Sequence, residues 1–184
     1  MAKTWASRSG PATGFSLLEI LIALAVMGAL MALVQPTFHD WIAKYRQLSH
    51  AQALAGAMTY ARSEAAKRGS RVNLCKSADH RTCTTAGGWE AGWLVFADPD
   101  NDGSVQSPGA IVRLEGPAPG DVTIAGNAPV VNYVSYTSMG FARLRNGALQ
   151  MGTFSVCSPR QRALHVVLAN SGRVRIDRTT IPCP

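Results

Sequence analysis

From Arg143 to the end, this 184-residue sequence has only one acidic residue, Asp177, against seven arginines, so little in that stretch neutralises them. Lysine is scarce too: of the 18 basic residues all but Lys3, Lys44, Lys67 and Lys76 are arginine, the side chain that offers phosphate a planar fork. His39, His50, His80 and His165 are scattered, and no Ser/His/Asp, Cys/His or paired-carboxylate pattern accompanies them. That argues against an enzyme. Aromatic residues make up 7% of the chain and are sparse around the arginines, so a stacking platform for single-stranded nucleic acid is not evident. Sets of Asn, Gln and Arg suited to the major groove are missing as well, which argues against base-specific reading.

Metal ligands also run short. Cys75, His80 and Cys83 lack a fourth partner nearby. Asp98, Asp100, Asp102 and Gly103 match the first half of a calcium loop, but Gly109 stands where the bidentate acid should fall, and flanking helices are not indicated. A hairpin turn built from Asp, Asn and Gly accounts for the same residues. Neither a metal nor a cofactor is expected.

No cysteine precedes Cys75; the others are Cys83, Cys157 and Cys183. An even count after an apolar run suggests an oxidising compartment and two disulfides. Three pairings are possible, and Cys75–Cys83 with Cys157–Cys183 is favoured because each pair is local in sequence.

What the sequence does have is a single long apolar run, residues 15–34, broken only by Ser16, Glu19 and Gly28. As a helix it covers about 30 Å, enough for a bilayer core. It is too long for the apolar part of a cleaved secretory signal and leads into Gln35-Pro36 rather than a small-residue cut site. Glu19 is the anomaly: a carboxylate deep in a span costs on the order of 3 kcal/mol and needs a cationic partner. Lys3 and Arg8 precede the run, which keeps the N-terminus cytoplasmic by the positive-inside rule.

A basic leader, Gly14, "FSLLE", an apolar helix and then Pro36 resemble the class III signal of type IV pilins and type II secretion pseudopilins. The resemblance implies a leader, residues 1–14, cut after Gly14 by a prepilin peptidase, with Phe15 becoming a methylated N-terminus. Glu19 and Pro36 fall at positions typical of that family. It further implies that Glu19 pairs with the N-terminal amine of a neighbouring subunit inside a filament, which suits the rule that a buried charge must be paired.

Residues 40–68 have no proline and one glycine, Gly56, and Leu54, Met58, Ala61 and Ala65 form one apolar stripe. Arg62, Glu64, Lys67 and Arg68 lie mainly off it, and Gly69 reads as the stop. Residues 15–69 are therefore expected to form one helix, transmembrane to about residue 36, some 80 Å long if continuous, which Pro36 could kink.

From Ser70 the pattern changes to short strands: "RVNLC", "GWLVFAD", "AIVRLEG", "VTIAG", "ALQMG", "FSVCS", "ALHVVLAN" and "GRVRID", parted by turn residues. An α+β fold follows, with an antiparallel sheet in a β-rich head, residues 70–184, packed on the helical stripe. It matches the pilin architecture. "GWEAGWLVFADPDNDGS" with its upstream cysteine pair resembles the FimT/GspH group of minor pilins and pseudopilins.

In "VLANSGRVRID" the residues Asn170-Ser171-Gly172 read as a turn between two strands. Arg173 and Arg175 then share a strand face about 7 Å apart, a spacing suited to successive phosphates, although Asp177 on that face can tie up Arg175. "GRVR" resembles the G-R-x-R element of FimT-type minor pilins that bind DNA during natural transformation. That resemblance implies Gly172, Arg173 and Arg175 as a binding motif for double-stranded DNA, independent of sequence. Arg178, Arg143, Arg145, Arg160 and Arg162 are candidates by charge alone. The plain alternative is a solvated strand face, or partners for a neighbouring subunit's acids around Asp98–Asp102. Expected partners are other pilin subunits, the prepilin peptidase, the inner membrane and DNA. The location expected is a single-pass inner-membrane protein with a periplasmic head, later in a pilus or pseudopilus that can reach the cell surface. A structural or priming pilin, or a type II secretion pseudopilin without DNA binding, is the rival function.

Overall fold

The computed structural model describes residue 14 and residues 16–184, with no account of the side chains of 32–37. Lys3, Arg8 and Phe15 lie outside the described residues, as does the side chain of Pro36. The chain divides into two units, 1–39 and 40–184.

One helix, α1, runs from Leu17 to Arg68. Its start is fixed by the Ser16 carbonyl, which accepts from the amides of Glu19 at 3.0 Å and Ile20 at 3.2 Å. Glu19 lies in the first turn, where a carboxylate meets the positive end of the helix dipole. Lys67 and Arg68 close the last turn, and Gly69, at φ 62°, supplies the left-handed exit. In the first unit Leu17, Leu18, Ile20, Leu21, Ile22, Leu24, Val26, Met27, Leu30 and Met31 are all exposed. Among the described residues no helix is long and apolar enough to cross a membrane. The last residues of the apolar run, 32–34, are among those whose side chains are not described.

In the second unit the expected stripe is the buried face of α1: Leu54, Met58, Ala61 and Ala65 are sealed, joined by Ala51 and Ala57. Glu64 departs from the expectation. It is 8% exposed rather than off the stripe, and it is tolerated there because Arg68 at 2.8 Å and Lys67 at 3.6 Å pair with it. Their guanidinium and ammonium groups hold its carboxyl below the usual range, Arg68 foremost.

Eight strands follow: β1 (Val72–Lys76), β2 (Trp93–Ala97), β3 (Ile111–Glu115), β4 (Thr123–Gly126), β5 (Tyr133–Tyr136), β6 (Gly152–Cys157), β7 (Arg162–Leu168) and β8 (Val174–Pro182). They form two four-stranded sheets rather than the one expected, ordered β3-β2-β1-β5 and β4-β6-β7-β8, with every described pairing antiparallel. Alternation explains the layers. Val72 and Leu74 of β1 and Trp93 and Val95 of β2 join the core with α1. Cys75, Leu94 and Phe96 point the other way into a smaller cluster with Cys83 and Ile111. Phe154, Val156, Val166 and Leu168 bring the second sheet into the main core. Trp89 locks the sheets together: its ring meets Phe154 edge-on at 5.2 Å, and its Nε1 donates to the carbonyls of Val130 and Val131 at 3.2 and 3.1 Å.

Two strand expectations change. "ALQMG" is not a strand; Leu149 makes only an isolated bridge with Arg143. The side chain of Gln150 takes over the pairing, accepting from the Ser135 amide at 2.9 Å and donating to the Pro129 and Tyr133 carbonyls at 2.8 Å each. β5 was not expected, and it completes the first sheet beside β1. Disulfides join Cys75 to Cys83 and Cys157 to Cys183.

Candidate nucleic-acid interface

The turn between β7 and β8 is closed by the Ala169 amide donating to the Arg173 carbonyl at 2.9 Å and the Gly172 amide to the Ala169 carbonyl at 2.8 Å. Gly172 has φ 81°, a region that favours glycine. A Cβ there would overlap the Gly140 carbonyl oxygen and crowd Arg62 Nε and Tyr136 Cε1, each at 3.2 Å. The glycine of "GRVR" is thus required by packing, whatever the motif binds. Beneath it burial pushes the Tyr136 hydroxyl pKa up, partly offset by the Arg62 charge.

Past the turn, Val174 and Ile176 pack against the core while Arg173 and Arg175 are exposed on the other face. Both arginines line a depression of about 330 Å³ together with Ala169, Ser171 and Val174. Arg175 Nε donates to Asp177 Oδ2 at 2.9 Å, the local pairing that the sequence warned of. Arg173 has no acidic partner within salt-bridge distance among the described residues.

The remaining arginines fall into two other places. Arg160, Arg162 and Arg178 line a groove of about 450 Å³ with Lys44 and Gln47 of α1. Arg178 belongs to β8, but its neighbours in that groove are on the α1 side, away from the depression holding Arg173 and Arg175. Arg143 and Arg145 lie beside β5 instead, their amides donating to the Ser135 carbonyl at 3.0 Å and the Tyr133 hydroxyl at 3.3 Å, and Arg145 also reaches the acidic turn. The Arg143 carbonyl accepts from Arg71 at 3.3 Å, the Arg145 carbonyl accepts from Asn101 at 2.9 Å, and a Cβ on Gly103 would lie 3.0 Å from Arg145 Nη1. Lys44 and Arg62 were missed in the sequence because neither has a motif around it; only tertiary packing brings Lys44 to Arg160, Arg162 and Arg178, and Arg62 to the Gly172 turn.

The acidic turn gathers Asp98, Asp100 and Asp102, with one carboxylate oxygen from each within 4.8 Å of the others. Asp98 is 1% exposed and accepts from the amides of Asp102 at 3.0 Å and Gly103 at 3.1 Å, and from Asn73. These bonds account for the turn as a hairpin connection. Burial pushes the Asp98 carboxyl pKa up, helped by the Asp100 carboxyl.

Strand register sets Ser155 opposite His165 and His165 opposite Asp177. No hydrogen bond is found among the three, and Asp177 is engaged by Arg175, so the row lacks the linked geometry of a nucleophilic triad.

The profile of the family described as type II transport protein GspH matches residues 50–172. No curated protein matches at a significant level. Among solved structures, the type IV minor pilin FimU of Pseudomonas aeruginosa (strain PAO1) aligns with a TM-score of 0.58 at 17% identity, over 75% of this chain and 96% of that one. A second crystal form of FimU gives 0.54 at 18% identity, over 73% and 98%. At such identity the likeness establishes the fold, a helix packed on antiparallel sheets. The profile match extends over more than half of the chain, from the buried stripe of α1 to the Gly172 turn, and so this chain belongs to the GspH family, the FimT/GspH-type minor pilins and pseudopilins.

Proposed function

We propose that this chain is a minor type IV pilin that holds double-stranded DNA by its phosphates, through Arg173 and Arg175 presented by Gly172, during DNA uptake. The supporting observation is the turn itself: it forces a glycine at 172 and leaves both arginines exposed on the face away from the core. Guanidiniums about 7 Å apart suit backbone phosphates and carry no base code. The full chain in neutral detergent should bind a DNA duplex with an affinity that falls steeply as salt rises, because counterions are released. Arg173→Gln/Arg175→Gln should weaken binding at low salt and flatten the salt slope by about two contacts. Equal binding by the double variant sinks this site.

In this reading residues 1–14 are a leader removed after Gly14 by a prepilin peptidase, and the helix from Phe15 spans the inner membrane to about residue 36. The apolar side chains from Leu17 to Met31 support it, because they are exposed around the whole helix and call for lipid or other subunits. The two disulfides fit a periplasmic head. Glu19 then pairs with the amine of the next subunit. Glu19→Ala should insert in the membrane yet fail to enter filaments; normal incorporation, measured by counting the subunit in sheared filaments, refutes that pairing.

The rival is a structural or priming subunit, or a type II secretion pseudopilin, without DNA binding. The Arg175–Asp177 ion pair favours it, since a guanidinium already engaged is less available to phosphate.

A further inference from the structure

The groove beside α1 has a built frame. Gln47 is 2% exposed, and its Nε2 donates to the carbonyls of Val156 and Arg162 at 2.8 Å each. On the strand side Thr179 Oγ1 donates to the Ala163 carbonyl at 2.8 Å, and the Cys157–Cys183 disulfide ties the chain end to β6. On this frame Lys44, Arg160, Arg162 and Arg178 line one space of about 450 Å³. Of the four, only Arg160 has an acid within salt-bridge distance among the described residues: Asp40 at 3.4 Å, with both partners exposed. Like charges held together without counter-charge raise the local potential and favour a bound anion. Three arginine forks make phosphate the fitting group.

The source of that phosphate follows from the neighbours along α1. Lys44 lies in the same helix as the apolar run, ten residues beyond Val34. On either side of Lys44 in the sequence, Trp41 and Tyr45 are exposed and stacked, their ring centroids 6.0 Å apart. Exposed Trp and Tyr beside a cation at the end of an apolar helix mark the water–lipid boundary. Arg173 and Arg175 line a different depression, with no residue shared between the two.

We propose that the groove of Lys44, Arg160, Arg162 and Arg178 binds the phosphate of an anionic phospholipid headgroup at the membrane surface. The proposal rests on the reading that residues to about 36 span the membrane. Its effect is to hold the head against the leaflet until the subunit is drawn into a filament.

The test titrates water-soluble dihexanoyl-phosphatidylglycerol into the full chain in neutral maltoside micelles, following backbone amides of 160–164 and 177–180. Binding should exceed that of dihexanoyl-phosphatidylcholine and weaken with salt. Each cation is worth about fivefold, so Lys44→Gln/Arg162→Gln/Arg178→Gln should lose about a hundredfold, while Arg162→Lys/Arg178→Lys stays within severalfold of the parent. If the triple variant fails to fold, Lys44→Gln alone, at an exposed helix position, should still lose about fivefold. Equal affinity for the two lipids overturns the proposal, as does an unchanged affinity in the glutamine variants. Inorganic phosphate binding as tightly as the lipid reassigns the groove to a free anion. A DNA duplex that shifts the same amides and displaces the lipid reassigns it to nucleic acid. Insertion into nanodiscs of pure phosphatidylcholine tests the span by itself. A chain that inserts but shows no preference for phosphatidylglycerol loses only the groove; one that does not insert yet keeps the preference loses only the anchor.

Discussion

Replacing Trp89 with alanine is expected to lower the unfolding free energy of the 40–184 unit by about 3–5 kcal/mol. The indole is fully buried, touches Phe154 edge-on, and anchors the turn before β5 through its bonds to Val130 and Val131. Its removal leaves a cavity where the two sheets meet, and two carbonyls lose their donor. Urea unfolding of the full chain in neutral detergent, followed by near-ultraviolet circular dichroism, reads the change. Trp89→Phe separates the parts: it keeps most of the apolar volume and should cost about 1–3 kcal/mol, for the lost donor and the smaller ring. A loss below about 1 kcal/mol for the alanine variant would mean that the sheets are held together elsewhere.

Gly172→Ala should join stability to function in one substitution. Holding a non-glycine residue at φ 81° costs about 1–3 kcal/mol, and the new methyl group collides with the Gly140 carbonyl, so the segment around Gly140 or the hairpin must move. Both guanidiniums remain in the chain, yet their placement is lost. DNA affinity should therefore fall toward that of Arg173→Gln/Arg175→Gln, together with a lower melting temperature. Thr59→Ala, at an exposed position of α1 that does not line the depression, should leave both measurements near the parent values. If Gly172→Ala binds DNA normally, the turn does not present the arginines, and the motif reading loses its physical basis.

Several parts of this molecule were legible in the sequence because they rest on local rules. The 3.6-residue period named Leu54, Met58, Ala61 and Ala65 before any contact was known, and all four are sealed. Gly69 ended the helix through its left-handed conformation. Cysteines 8 and 26 residues apart found one another because short loops close readily. The turn at Gly172 and the alternation of Arg173 and Arg175 against Val174 and Ile176 also needed only the strand period.

Other features were hidden because they depend on partners distant in sequence. "ALQMG" has the apolar alternation of a strand, but the Gln150 amide, bonded to Ser135, Pro129 and Tyr133, replaces the ladder there. "YVSY" is short and carries a serine, and it becomes a strand because β1 has a free edge to offer. Glu64 looks like a surface residue until Arg68 and Lys67 are seen closing over it.

The sequence by itself determined the helix and its stripe, the local disulfides and the outward-facing arginine pair, since periodicity and turn chemistry act over a few residues. Only the tertiary structure decided that seven C-terminal arginines divide among three places. A register shift between Arg162 and Leu164, and the packing of the second sheet on α1, bring Arg162 and Arg178 to Lys44 and leave Arg173 and Arg175 outside. Charge counted along the chain cannot foresee that division, because the fields of these side chains add only where folding places them together.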